Sequence, residues 1–308
     1  MSEENKKQII EEIEKYYDAV PNISRACSTV IENSIAIFLP LTRIDMSNIY
    51  KEFVKNNQTM EISNNLLDKV EIKGRLLGQI HKDILEALLT TKKTFNKTTA
   101  QFKIKTTAYK LLKKMGRDTS DKKWLLQKID EIAECRVKLH YKNKVGKNKT
   151  FNFGFLGGID TTNGKEITIA FSPEYTYFMA YNELLDYSDY VPQIISLRSE
   201  LKKIQIKLGL KKELSHDFIK AVVRYMLTHS DRSVGTNRKI STLINDLNLP
   251  NIIEKEELED CVTDLKRKEV IALLQRLFGI SLISDSNTLN FSGTQEKKRY
   301  HIQKTLDF

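Results

Sequence analysis

Three cysteines, five prolines and one tryptophan are all that this 308-residue chain holds of those residues. Cys27, Cys135 and Cys261 are odd in number, far apart and without metal-ligand spacing. That argues against a disulfide framework or a zinc module and fits a reducing compartment. As isolated thiols they read as small core hydrophobes rather than nucleophiles. The longest apolar run, Ile35 to Leu41, contains Pro40 and falls far short of the ~20 residues a membrane helix needs. The opening Ser2, Glu3, Glu4 and Asn5 is unlike a secretory signal, so the expectation is a cytosolic protein with no membrane partner. The five histidines, His81, His140, His216, His229 and His301, are isolated from one another. No acidic cluster suits two-metal phosphoryl transfer. The expectation is therefore a protein that is not an enzyme, with no catalytic residue, cofactor or metal indicated.

What the chain does have is charge, unevenly placed. It is 40% hydrophobic and 29% charged, a globular composition, with a formal net charge of +10. Residues 92–150 carry 18 Lys+Arg against 5 Asp+Glu, whereas residues 1–91 carry 11 against 14 and residues 151–308 carry 21 against 21. One internal stretch thus holds more than the whole excess. Basic charge confined to one fold that can offer a helix to a groove is the electrostatic signature of nucleic-acid binding.

The apolar periodicity says what that fold is. Residues 1–20 have Ile9, Ile10, Ile13, Tyr16 and Tyr17 at helical spacing, an amphipathic helix expected to end before Pro21. Asn48 to Asn57 reads as a short helix and Leu66 to Ile72 as a strand. Ile80, Ile84, Leu85, Leu88 and Leu89 mark a helix, and Phe102 and Ile104 a short strand. Thr106 or Thr107 can cap the next helix, with Tyr109, Leu111, Leu112 and Met115 as its apolar face and Gly116 closing it. Arg117 to Ser120 is a turn, with Ser120 the expected cap of a helix bearing Trp124, Leu125, Ile129, Ile132 and Ala133. The period then changes to two through Val137–Tyr141, Phe151–Phe155 and Ile167–Phe171, a three-stranded meander. Ser172-Pro173-Glu174 starts a short helix, and a boundary falls near Val191-Pro192. The second half repeats the theme. Helices are expected over Ile194–Leu208, Leu214–Thr228, Ile240–Leu247 and, interrupted, Glu256–Phe278. Short strands follow at Ile280–Ile283 and Leu289–Phe291. The fold class expected is α+β, helix-rich, with two tandem winged-helix domains: an N-terminal amphipathic helix over 1–21, a first winged helix over 22–190 and a second over 191–308.

Three phrases carry a family resemblance. Ile72 to Leu85 holds a strand, Gly74 and a Gln-x-x-x-Asp opening at Gln79 and Asp83; Tyr109 to Gly116 is followed by Trp124 and Leu125; and Phe218 to His229 opens the second unit. In this order, across roughly residues 70–280, they resemble the plasmid replication initiators of the TrfA/RepA-like group, which have tandem winged helices. The resemblance implies that the second domain reads bases through the helix around Leu258 to Arg276. Lys266, Arg267, Lys268 and Arg276 are then candidates, with Arg238 and Lys239 beside them. It implies that the first domain adds DNA contacts and dimerisation. Double-stranded DNA with repeated origin sites and host replication proteins such as a helicase would be the partners.

The residues themselves weight the first domain. Arg117, Lys122, Lys123 and Lys128 can form one cationic face, although any single lysine there could be ordinary solvated surface. Lys142, Lys144, Lys147 and Lys149 sit on a hairpin tip, where they could reach phosphates or simply protect an edge strand. Lys266-Arg267-Lys268 lies between Asp264 and Glu269, so a local salt-bridge face competes with base reading. Gly158 and Gly164-Lys165 lack the Ser/Thr and spacing of a phosphate loop. Tyr177 and Tyr181, four apart as in tyrosine nicking enzymes, read better as a packing face. The expected function is a replication initiator that binds repeated origin sites and helps open the duplex, with a winged-helix repressor as the alternative and a nicking enzyme behind it.

Overall fold

The computed structural model describes residues 19–63, 67–96, 98–142, 148–161, 166–229, 237–292 and 298–300. Residues 19–25 are helical, so Pro21 lies within a helix and does not follow one; residues 1–18, where the amphipathic helix is expected, lie outside the described residues. The chain then forms β1 (Ser28–Thr29), α1 (Val30–Ser34), β2 (Phe38–Leu39), α2 (Asn48–Lys55), β3 (Thr59–Ile62), β4 (Lys69–Lys73) and β5 (Leu77–Gly78). Five residues are too few for a helix to stand on propensity alone. A reciprocal capping box holds α1: Thr29 Oγ1 accepts from Glu32 N at 3.2 Å, and the Glu32 carboxylate accepts from Thr29 N at 2.8 Å.

The first winged helix is α3 (Gln79–Leu89), β6 (Lys93–Asn96), β7 (Gln101–Thr106), α4 (Ala108–Lys114), α5 (Lys122–Glu134), β8 (Arg136–Lys142), β9 (Asn148–Gly154), β10 (Leu156–Asp160) and β11 (Ile167–Phe171). Thr107 caps α4 by accepting from Lys110 N at 3.1 Å, and Gly116 ends it at φ +61°. Ser120 is not the cap of α5. Its N–H and hydroxyl both donate to Asp118, and the helix starts after Asp121.

The expected three-stranded meander is two sheets. β7 pairs with β11 and β11 with β10, giving the order β10-β11-β7-β6, in which the strand before the helix–turn–helix lies against the last hairpin strand. β8 pairs instead with β4, which joins the β8–β9 hairpin to β3 and β4 in the order β3-β4-β8-β9, with Val70 opposite Leu139 and Val137 opposite Phe153. The alternation that marks these strands fixes which face is buried but not which strand is the partner. At the join, buried Phe155 turns into the core against Phe153 and Tyr175, and a bulge separates Leu156 from Gly158.

After α6 (Pro173–Tyr181) and β12 (Leu184–Asp186), α7 (Val191–Lys207) leads into the second winged helix. This comprises α8 (His216–His229), β13 (Asn237–Lys239), α9 (Ile240–Asp246), α10 (Lys255–Lys266), α11 (Lys268–Phe278), β14 (Ile280–Ile283) and β15 (Thr288–Phe291). Its sheet order, β13-β15-β14, repeats the first-last-middle arrangement of the first unit. Arg267, in extended backbone at ψ 135°, breaks α10 from α11. β16 (Lys298–Tyr300) pairs with β12, which also pairs with β1.

The two units meet through α3 and α8, and their contact is ionic. Arg224, 2% exposed, donates to Gln79 Oε1 at 2.6 Å, Asp83 Oδ1 at 2.7 Å and both Glu86 oxygens at 2.7 and 2.9 Å. Lys220 also bonds Asp83. Tyr187 donates to Glu86 at 2.6 Å and accepts from Asn33 at 3.0 Å. Glu32 takes Tyr175 at 2.8 Å and Lys82 at 3.5 Å. Burial alone would push the Glu86 carboxyl up, but the Arg224 charge and hydrogen bonds outweigh it and hold it below the usual range.

A buried ion cluster gains little over a well-packed apolar core, yet removing one member strands the others. Arg224→Met is expected to destabilise the full chain by about 3–5 kcal/mol in urea unfolding. Because it is a loss of pairing, Arg224→Met combined with Asp83→Asn and Glu86→Gln should recover part of that cost.

Candidate functional site

The helix–turn–helix of the first unit is built by three local devices. Arg117 sits over Trp124, its guanidinium carbon 3.6 Å from the ring centroid, and Nη1 reaches Asp121 at 3.2 Å. The turn is therefore clamped to the start of α5 by a cation–π contact and an ion pair. Gly74, at φ +86°, passes so close to α5 that a Cβ there would sit 2.5 Å from the Glu134 carbonyl oxygen. The third device is polar. His81 Nδ1 accepts from Gly78 N at 3.0 Å, so its proton is on Nε2, which donates to Glu131 at 2.7 Å. Lys128 reaches both Glu131 oxygens at 2.8 and 2.9 Å, and Arg75 approaches at 3.3 Å.

These contacts sort the expected cationic face. Lys122 and Lys123 are exposed at the first turn of α5. Arg117 is half-buried and engaged by Trp124 and Asp121, and Lys128 spends its charge on Glu131. Beside them α4 differs from the sequence expectation. Tyr109 is no part of the apolar face but is 56% exposed, and it shares the outer surface with Lys110 and Lys113, whose ammonium stands 6.0 Å over the ring. A tyrosine beside buried Leu111 and Leu112 suits either face of a short helix, so sequence alone did not single it out. Lys114 turns inward to the carbonyl of Ala87 at 2.9 Å, at the end of α3.

The remaining candidates scatter. Lys149 is exposed on β9; Lys144 and Lys147 lie outside the described residues, as does the side chain of Lys142. Arg238 is half-buried on β13, and exposed Lys239 begins α9. Arg267 bonds Asp264 at 3.0 Å, with Lys266 and Lys268 exposed on either side. Arg276, on the helix that leads straight into β14, reaches Glu200 at 3.4 Å. Exposed Glu256, Glu257, Glu259 and Asp260 make α10 acidic, which leaves α11 as the more cationic of the two helices. Tyr177 is half-buried and stacks on Phe151 at 5.7 Å, and all three cysteines are buried. Among the described residues no group of three His, Cys, Asp or Glu could hold a metal ion, and no helix is long and apolar enough to cross a membrane.

Burial lowers the His81 pKa below its ordinary 6.5, the Glu131 carboxylate only partly opposing it. Burial raises Glu131, but the hydrogen bonds from His81 and Lys128 outweigh it and leave the group at about 2, from an ordinary 4.5. Both groups bind fewer protons folded than unfolded, so the stability they supply is present at neutral pH and is lost on acidification. For Glu131 the loss runs from about 4.5 down through about 2. Glu131→Gln should flatten the stability profile in that window, as read by urea unfolding at stepped pH.

No family model matches the chain, and no curated protein does. Among solved structures the chain is similar to a selenomethionine form of domains 2 and 3 of RctB. The TM-score is 0.46 at 14% identity, over 78% of this chain and 91% of that one. A second structure of RctB domains 2–3 gives a TM-score of 0.44 at 14% identity, over 76% and 90%.

Proposed function

We propose that this chain is a sequence-specific double-stranded DNA-binding protein that acts as a plasmid replication initiator. Its two winged helices would engage repeated origin sites, promote opening of adjacent duplex and leave helicase and polymerase work to host proteins. One observation carries the DNA-binding part. The exposed surface of the first helix–turn–helix gathers Tyr109, Lys110, Lys113, Lys122 and Lys123, on a segment whose charge is +13 over residues 92–150. Phosphate contacts of this kind set affinity and position, while base-edge contacts give specificity. Arg276 and Gln275, both exposed on α11, have the donors and acceptors that base edges take. The initiator part is supported by the phrases Ile72–Leu85, Tyr109–Gly116 and Phe218–His229.

Selection from a genomic DNA pool, followed by footprinting, tests the reading. The expected result is a protected array of direct repeats spaced by whole helical turns beside an A·T-rich segment; a lone palindrome at a promoter would point to a repressor. Lys122→Gln with Lys123→Gln should weaken binding on all duplexes alike and make the log–log salt slope shallower by about 1.8, ~0.9 for each phosphate that is no longer neutralised.

A further inference from the structure

The buried face of α7 is made by Val191, Ile194, Ile195, Leu197 and Leu201. Its exposed side is cationic. Arg198, Lys202, Lys203 and Lys207 stand on it, and beyond the left-handed turn at Gly209 come exposed Lys211 and Lys212. Six cations thus fall within residues 198–212 against one acid, Glu200, although the 151–308 half is electrically neutral as a whole. Acids border this surface at its end, exposed Glu213 directly after the turn and Asp260 on α10.

An ordinary solvated helix face mixes its signs at spacings of three and four, because such pairs stabilise it. Here Arg198–Lys202 and Lys203–Lys207 are like-charged at a spacing of four, which costs helix stability. Some cations do find carboxylates: Arg198 with Glu213 at 3.3 Å, Lys203 with Glu200 at 2.6 Å and Lys212 with Asp260 at 2.5 Å. Lys202, Lys207 and Lys211 make no ion pair among the described residues. Glu200 is shared by Lys203 and Arg276, which sets α11 directly beside this surface.

We infer that the outer face of α7, with the turn that follows it, is a further phosphate-binding surface, along which duplex DNA engaged by α11 continues towards the first winged helix. The inference rests on the DNA-binding reading above. The occupant is a duplex backbone because the surface offers point charges next to the helix that would enter the groove, and a backbone is the regular polyanion that extends from that place. Lysines suit this role, since they neutralise phosphates without reading sequence.

The test is the salt dependence of binding by the full chain to a duplex carrying its selected site and to an unrelated duplex. The triple variant Lys202→Gln, Lys207→Gln, Lys211→Gln is compared with a charge-matched triple, Lys51→Gln, Lys55→Gln, Lys255→Gln. The α7 variant should weaken both duplexes by the same factor, make the log–log slope shallower by about 2.7 and shorten the footprint on one flank of each site. The control triple should leave slope and footprint as they were. An unchanged slope in the α7 variant, or an equal loss in both triples, overturns the inference while leaving the DNA-binding reading in place. Lysine-dependent binding of poly-glutamate with an unchanged DNA slope would assign the surface to an acidic protein instead. A wild-type chain that binds neither duplex would overturn both readings at once.

Discussion

Six charges withdrawn from water hold this molecule in one arrangement. Glu32, Asp83 and Glu86 face Lys82, Lys220 and Arg224, and none of the six is more than 3% exposed. Each would be intolerable alone in such surroundings. Together they are balanced in number, and Gln79, Ser28, Tyr175 and Tyr187 take up the donors and acceptors left over. Apolar side chains can slide or repack at modest cost, but a guanidinium that must meet three partners at 2.6–2.9 Å has one solution. The network therefore sets how α8 crosses α3, and the positions of both helix–turn–helices follow from it.

Much of the architecture was legible in the sequence. The 3.6-residue periods placed α3, α4, α5, α7 and α8, and the glycines and Ser/Thr caps marked several ends because those devices act within a few residues. Non-local facts were not legible. Alternating residues in Val137–Tyr141 and Phe151–Phe155 show two half-buried strands, but nothing local says that their sheet is completed by β3 and β4 from the N-terminal segment. The polar core was hidden for a related reason. Gln79, Asp83, Lys220 and Arg224 sit inside the phrases that carry the family resemblance, where they read as the hydrophilic side of amphipathic helices. Only the pairing of the helices shows that this side faces inward. Charge on a helix indicates solvent until a partner of opposite sign is found across the fold.

The same principle governs the candidate DNA surface. A count of lysines and arginines locates the excess on residues 92–150 but cannot tell which charges remain available. Lys114 is consumed by the Ala87 carbonyl and the Thr91 hydroxyl near the end of α3, Lys128 by Glu131, and Arg117 by Trp124 and Asp121. Those three build the helix–turn–helix, and the lysines around them are what it presents. Structural and presented cations alternate along one stretch, so net charge overstates the number of phosphates that the first unit can meet.

The spacing of the buried network along the chain also bears on how the protein is made. Asp83 lies 137 residues before Lys220, and Glu86 lies 138 before Arg224. At a synthesis rate of ~5–20 residues per second, the carboxylates leave the ribosome on the order of ten seconds before their cations. Throughout that interval Asp83 and Glu86 lack Lys220 and Arg224, and water is their better environment. On that ground the ionic contact between α3 and α8 is expected to close only after residue 224 has emerged.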